Sequence, residues 1–213
     1  MSNVKGRGVR VEIAATYAAA KTVTAITKAN PGVATSTAHG LTNDTVGYFL
    51  NVTGMVQLEG QAVRVKNVTA NTFELQGLDT TNYADFTAGT FVPVATWNTM
   101  AEATSYALGG GAGNKLNATR LIDIIDQEEQ GNLPAGTASI NVLAQDTPSA
   151  AMTTIENAVQ NQSATNVRIT LGNGAVRIFR GEPSIPGEDV QQGQLGTGTL
   201  DFAVKGRTLR LAA

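Results

Sequence analysis

The sequence predicts a mainly β protein with a minor α+β part, in which one helix covers a sheet and a small all-β module is inserted near the N-terminus. Three observations lead there. Short stretches of alternating apolar and polar residues recur along the chain between turns rich in Gly, Asn and Pro. Apolar residues fall at helical spacing in the stretch after Pro148. From Thr22 the pattern tightens into strands of a few residues separated by polar turns.

The clearest unit is residues 138–180. Ala138-Ser139-Ile140-Asn141-Val142 alternates as a half-buried strand does, with Ile140 and Val142 on one face. Next, Thr147 can cap a helix, Pro148 suits its first position, and Ala151, Ile155, Ala158 and Val159 recur on one side. The expectation is an amphipathic helix of about four turns. Val167-Arg168-Ile169-Thr170-Leu171 and Ala175-Val176-Arg177-Ile178-Phe179-Arg180 then flank Gly172-Asn173-Gly174, a loop that supplies the positive-φ positions of a tight hairpin. The helix thus has a neighbouring sheet to bury its stripe. Arg168 and Arg177 alternate with Ile169 and Ile178, so one hairpin face is expected under the helix and the other to carry the two arginines.

The remaining elements follow in order. Val9, Val11 and Ile13 alternate with Arg10 and Glu12 as a half-buried antiparallel strand. Residues 22–27, 33–36, 46–52, 61–68 and 72–75 read as five short strands, a module of about seventy residues. Phe91-Val92-Pro93-Val94-Ala95 closes it. The domain division is therefore 22–92 for the module, with 1–21 and 93–213 forming a discontinuous core. Residues 95–116, with Gly109-Gly110-Gly111 and Gly113, read as a long flexible loop. At the C-terminus Leu200, Phe202 and Val204 share one face of a strand that ties down the chain end.

Composition narrows the chemistry. The 213 residues, 42% hydrophobic and 15% charged, suit one large domain or two small ones. A net charge of -2 gives no basic footprint for tight DNA binding. The absence of Cys removes disulfides, thiolate nucleophiles and thiolate zinc sites, and the lone His39 removes most hydrolase triads and two-His metal motifs. No apolar run near Met1 is long enough for a signal peptide or membrane span, so folding in a cytoplasm is expected. Lys115 is followed by Leu116 rather than Ser or Thr, so the glycine-rich stretch is not a P-loop. Asp123, Asp126, Glu128 and Glu129 place four carboxylates in seven residues. They lack the EF-hand spacing and read as a solvated acidic face. No cofactor, metal or catalytic group is expected, and the chain does not read as an enzyme.

Two resemblances sharpen this picture. Pro31-Gly32-Val33-Ala34-Thr35, His39-Gly40-Leu41, Val52-Thr53-Gly54-Met55, Leu58-Glu59-Gly60-Gln61, Asn67-Val68-Thr69, Asn71-Thr72-Phe73-Glu74-Leu75 and Tyr83 follow one another as in a small β module. It resembles the module named after the first catalytic-cysteine half-domain of ubiquitin-activating enzymes, which recurs in bacteriophage virion proteins. Without a Cys no thioester chemistry comes with it; the resemblance implies a decorating or packing module.

With that module set aside, the strand at residues 138–142, the helix from Pro148, the hairpin around Gly172-Asn173-Gly174 and the strand at 198–206 resemble, in their order, the tail tube proteins of long-tailed bacteriophages. The resemblance implies a β-sandwich or barrel with one flanking helix. It implies hexameric rings that stack into a tube around a tape measure protein, contacts with a tail terminator and with baseplate or tip proteins, and transient, non-specific passage of DNA. The expected location is the virion tail, assembled in the host cytoplasm. In this light Tyr106, Leu108, Gly110 and Lys115 are expected at an inter-ring or inter-subunit contact. Asp123, Asp126, Glu128 and Glu129 are expected on the lumen or at that contact, and Arg168 and Arg177 on the hairpin face turned to a partner or the lumen. Other virion roles, as tail terminator, head-tail connector or decoration protein, remain open alternatives. So does glycan binding by the module, where Tyr48, Phe49, Phe73, Tyr83, Phe86 and Phe91 concentrate.

Overall fold

A computed structural model of the chain describes residues 8–110, 115–120, 122, 124–131, 136–185 and 187–213. Strands make up 50% of the described residues and helical turns 7%, so the fold is mainly β, an antiparallel sheet curled into a half-barrel. The N-terminal part supplies β1 (Arg10–Tyr17), β2 (Lys21–Val23), β3 (Ala25–Ile26), β4 (Val33–Thr35), β5 (Val46–Thr53), β6 (Ala62–Lys66), β7 (Thr72–Leu75) and β8 (Ala88–Thr99). Then come β9 (Ala103–Gly109), β10 (Lys115–Asn117), β11 (Glu128–Gln130), β12 (Thr137–Leu143), α1 (Ala150–Gln160), β13 (Thr165–Thr170), β14 (Val176–Pro183), β15 (Gly187–Asp189) and β16 (Thr197–Leu211).

The main path of the sheet runs β3-β4-β7-β6-β5-β8-β1-β13-β14-β16-β12-β9, while β10 and β11 form a separate pair. β8 crosses the boundary expected at residues 92 and 93 without a break. Its first half pairs with β5 and β2, and its second half pairs with β1.

The helix starts later than the sequence suggests. Ser149 is its N-cap, its Oγ accepting from Met152 N at 3.1 Å, whereas Thr147 lies outside. Ser149 competes successfully because its backbone is extended and its hydroxyl reaches the third amide, as a cap requires. The helix is therefore 11 residues long, nearer three turns than four. Ala151, Ile155 and Ala158 are buried on one side as expected.

Two hydrophobic clusters fill the protein. One gathers Phe49, Phe73, Phe91, Met55 and Leu58 with Val176, Ile178, Leu209 and Leu211. The other gathers Ile13, Ile140, Ile155, Val167 and Ile169 with Phe179, Leu200, Phe202 and Val204. Strands β14 and β16 thus reach both clusters. β16 passes from one cluster to the other beside a bulge. Ile178 pairs with Leu209 but Arg180 pairs with Lys205, so β16 bulges between them. Gly206 sits there at φ 74, a conformation that a side chain resists. The bulge frees the backbone of Arg207, and buried Gln61 takes it up. Arg207 N donates to Gln61 Oε1 at 2.7 Å, and Gln61 Nε2 donates to Arg207 O at 2.9 Å.

Glu12 is the second unexpected polar group. It was expected to face out with Arg10, yet it is 5% exposed. Arg168 Nε donates to its Oε2 at 2.8 Å, and the Arg168 guanidinium stacks over Trp97 at 4.4 Å. The register explains the meeting, because Glu12 lies directly opposite Arg168 and close to Trp97 on the other side.

Two stability predictions follow from these polar groups. Gln61→Ala leaves both backbone groups of Arg207 unpaired and should cost about 1–3 kcal/mol in urea unfolding; an unchanged midpoint would mean the bulge does not need the amide. Glu12→Ala should cost about 2 kcal/mol, below the range for a fully buried pair because Arg168 is partly exposed. A cost below about 0.5 kcal/mol would place the pair among ordinary surface bridges.

Candidate assembly surfaces

In place of the long loop expected at residues 95–116, the chain is largely strand. β8 continues to Thr99, a tight turn follows, and β9 pairs with β12. Local residues explain why. Tyr106 and Leu108 lie opposite Ile140 and Ala138, so their side chains join the second cluster and repay the ordering of the strand. Thr104 Oγ1 donates to Asn141 O at 3.1 Å, and Asn141 Nδ2 donates to Ser105 Oγ at 2.8 Å. The glycine signal applies only from Gly109 onward. β9 ends the main path of the sheet, and no described strand pairs with its outer edge. Gly110 follows directly.

Lys115 opens β10, which pairs with β11. Its Nζ donates to Glu128 Oε2 in an exposed ion pair. Ala118 N donates to Gln127 O at 2.9 Å and Gln127 N donates to Thr119 Oγ1 at 2.9 Å, so the hairpin narrows toward residues 119–127. Asp126, Glu128 and Glu129 are all exposed; Asp123 lies outside the described residues. The acids that mark this segment in the sequence are accompanied by a feature that sequence reasoning missed. Ile122 is 83% exposed, Ile124 101% and Ile125 74%, with Leu116 also exposed. Large β-branched side chains interleaved with carboxylates were the available signal.

The two arginines expected on one hairpin face are separated by the register. Arg168 lies opposite Ile178 and Arg177 opposite Ile169, so they project from opposite sides of the sheet. Both are engaged within the chain, Arg168 by Glu12 and Trp97, Arg177 through its Nη1 by the carbonyls of Val176 and Leu211. The face opposite the helix is also not purely polar, since it carries Val176 and Ile178 into the first cluster.

The aromatics of residues 22–92 serve packing. Phe49, Phe73 and Phe91 are fully buried, with the Phe91 ring in contact with both others, and Tyr83 and Phe86 pack on the same cluster. Tyr48 lies under the Arg180 guanidinium at 4.0 Å and edge-on to Tyr17. Tyr17 accepts from Asn166 N at 3.1 Å, and burial, outweighing its hydrogen bonds, pushes its phenol above the ordinary value.

Among the described residues no group of three or more His, Asp or Glu side chains is placed to hold a metal ion. What the geometry offers is surface: an unpaired strand edge, and a separate hairpin that exposes both apolar side chains and acids. Comparison with curated proteins gives no match. The family model described as phage tail tube protein, TTP, matches residues 53–213, well over half of the chain, and the chain belongs to that family.

Proposed function

We propose that the chain is the major tail tube subunit, closing into hexameric rings that stack into a tube around a tape measure protein. A tail terminator would meet one end and baseplate or tip proteins the other, and DNA would later pass through the lumen. Membership in the family already gives the coarser statement: a structural protein of the virion tail that associates with itself and with other tail proteins. Among the described residues no helix is long and apolar enough to cross a membrane.

The observation that carries the proposal is a pair of unsatisfied surfaces that lie close together in sequence. The outer edge of β9 leaves a row of backbone donors and acceptors open, and such edges are closed by another strand or by a cover. Directly after it, the β10–β11 hairpin holds Leu116, Ile122, Ile124 and Ile125 in water. A cluster of that kind on a folded protein marks a contact. A heterologous contact that closes after a fixed number of copies gives a ring, and stacking of rings buries the hairpin. In this arrangement Tyr106, Leu108, Gly110 and Lys115 belong to the inter-subunit contact.

Charge supports the lumen part of the proposal. Asp126, Glu128 and Glu129 are exposed, and Glu128 pairs with Lys115. A lumen edged with carboxylates repels phosphate and lets DNA slide without adhering. Residues 22–92 occupy the end of the sheet away from β9, which suits an outward lobe of the subunit.

Negative-stain microscopy of the purified protein tests the assembly directly. Rings or tubes of constant width are expected, and a species that stays monomeric at high concentration would contradict it. Ile124→Asp should raise the concentration needed for tubes at least about tenfold, the loss of one buried apolar contact, while leaving the monomer's unfolding midpoint unchanged.

A further inference from the structure

Glu102, in the turn between β8 and β9, is 4% exposed. Its Oε1 accepts a 2.5 Å hydrogen bond from Ser149 Oγ, the hydroxyl that caps α1. Its Oε2 is shut off from water and has no hydrogen-bond partner. Glu102 lines a cavity of about 120 Å³ whose wall also carries Glu156 from α1 and Glu188 from β15, with Pro148, Met152 and Ile185 as apolar wall. None of its described lining residues is a lysine or arginine. The helix N-terminus offsets part of the charge on Glu102, while Glu156 and Glu188 add to the negative potential.

Buried carboxylates are ordinarily paired. Here three carboxylates stand in a wall that is otherwise mostly apolar, which fits a cationic head group on an aliphatic stem. A bare metal ion does not fit, because no three acidic side chains among the described residues converge on one point. The rim favours a protein over a small solute. Ile185, which lines the cavity, and Val190 are exposed, and Val190 and the lining residue Ala144 both lie beside Gly196. A charged centre within an apolar surround is the composition of a protein contact.

We propose that this cavity receives a lysine or arginine side chain from a second copy of the chain. The inference rests on the self-assembly proposed above and adds a specific socket to it. Agmatine, a guanidinium on a four-carbon stem, is the probe. Titrated into protein kept below the assembly concentration, it should give saturable shifts of the Ser149 and Met152 amide signals. Glu102→Gln, which keeps the acceptor for Ser149, should abolish them. Glu188→Gln, on an exposed strand, should weaken them severalfold and serves if Glu102→Gln fails to fold. In assembly, agmatine should raise the concentration at which wild-type tubes form, and Glu102→Gln should raise it about tenfold, the scale of one charge-assisted contact. Shifts that do not saturate, or that persist in both variants, overturn the socket even if tubes form. Saturable, Glu102-dependent binding without any tubes would leave the socket as a cation site, overturn its use by a second copy, and count against the tube reading separately.

Discussion

The structure depends on two strands that reach both hydrophobic clusters. β14 and β16 lie between the two hydrophobic clusters and give apolar side chains to each, Ile178 and Leu209 on one side, Phe179 and Phe202 on the other. Regular alternation lets a strand serve two cores, one from each face. In β14 Ile178 and Phe179 are neighbours on opposite faces, and in β16 the buried side chains pass from Leu200, Phe202 and Val204 on one face to Leu209 and Leu211 on the other. The bulge around Gly206 leaves backbone groups of Arg207 without a ladder partner, and an unpaired amide is costly. Gln61, from the N-terminal half, supplies both hydrogen bonds. One side chain thus couples the segment around residues 22–92 to the C-terminal sheet.

This arrangement also bears on assembly. Along β16 the face turned away from the second cluster is exposed at Thr199, Asp201, Ala203 and Lys205, so part of the sheet face lies open to a neighbour. Also open are the edge of β9, the β10–β11 hairpin, and the side chains of Ile185, Val190 and Leu195. A neighbouring subunit could use either the margin or this open face.

Much of the fold was legible in the sequence because it depends on local alternation. The strand at residues 138–142, the helix stripe of Ala151, Ile155 and Ala158, and the hairpin at Gly172-Asn173-Gly174 are set by neighbours in sequence, and the structure has all three. The features that escaped depend on register across distant segments. Glu12 looks like a solvent-facing residue until Arg168 and Trp97 are brought to it from residues more than eighty positions away. Gln61 has no local sign of its task. The β9 strand was masked by the glycines that follow it, although Tyr106 and Leu108 already showed a period of two. The acidic segment drew attention to its charges, while the isoleucines among them prove the more exposed apolar feature. Placing Arg168 and Arg177 on one face required the hairpin register, which a count of alternation within each strand does not supply.

The central claim is that this chain builds a tube through its sheet margin and its isoleucine-bearing hairpin. A reconstruction of the assembled protein at side-chain resolution measures that directly. The account predicts that the outer edge of β9 is hydrogen-bonded or covered by a neighbouring subunit and that Ile122, Ile124 and Ile125 are buried between subunits. Tubes in which the β9 edge and these isoleucines remain in solvent, on the outer surface and away from every subunit contact, would contradict it.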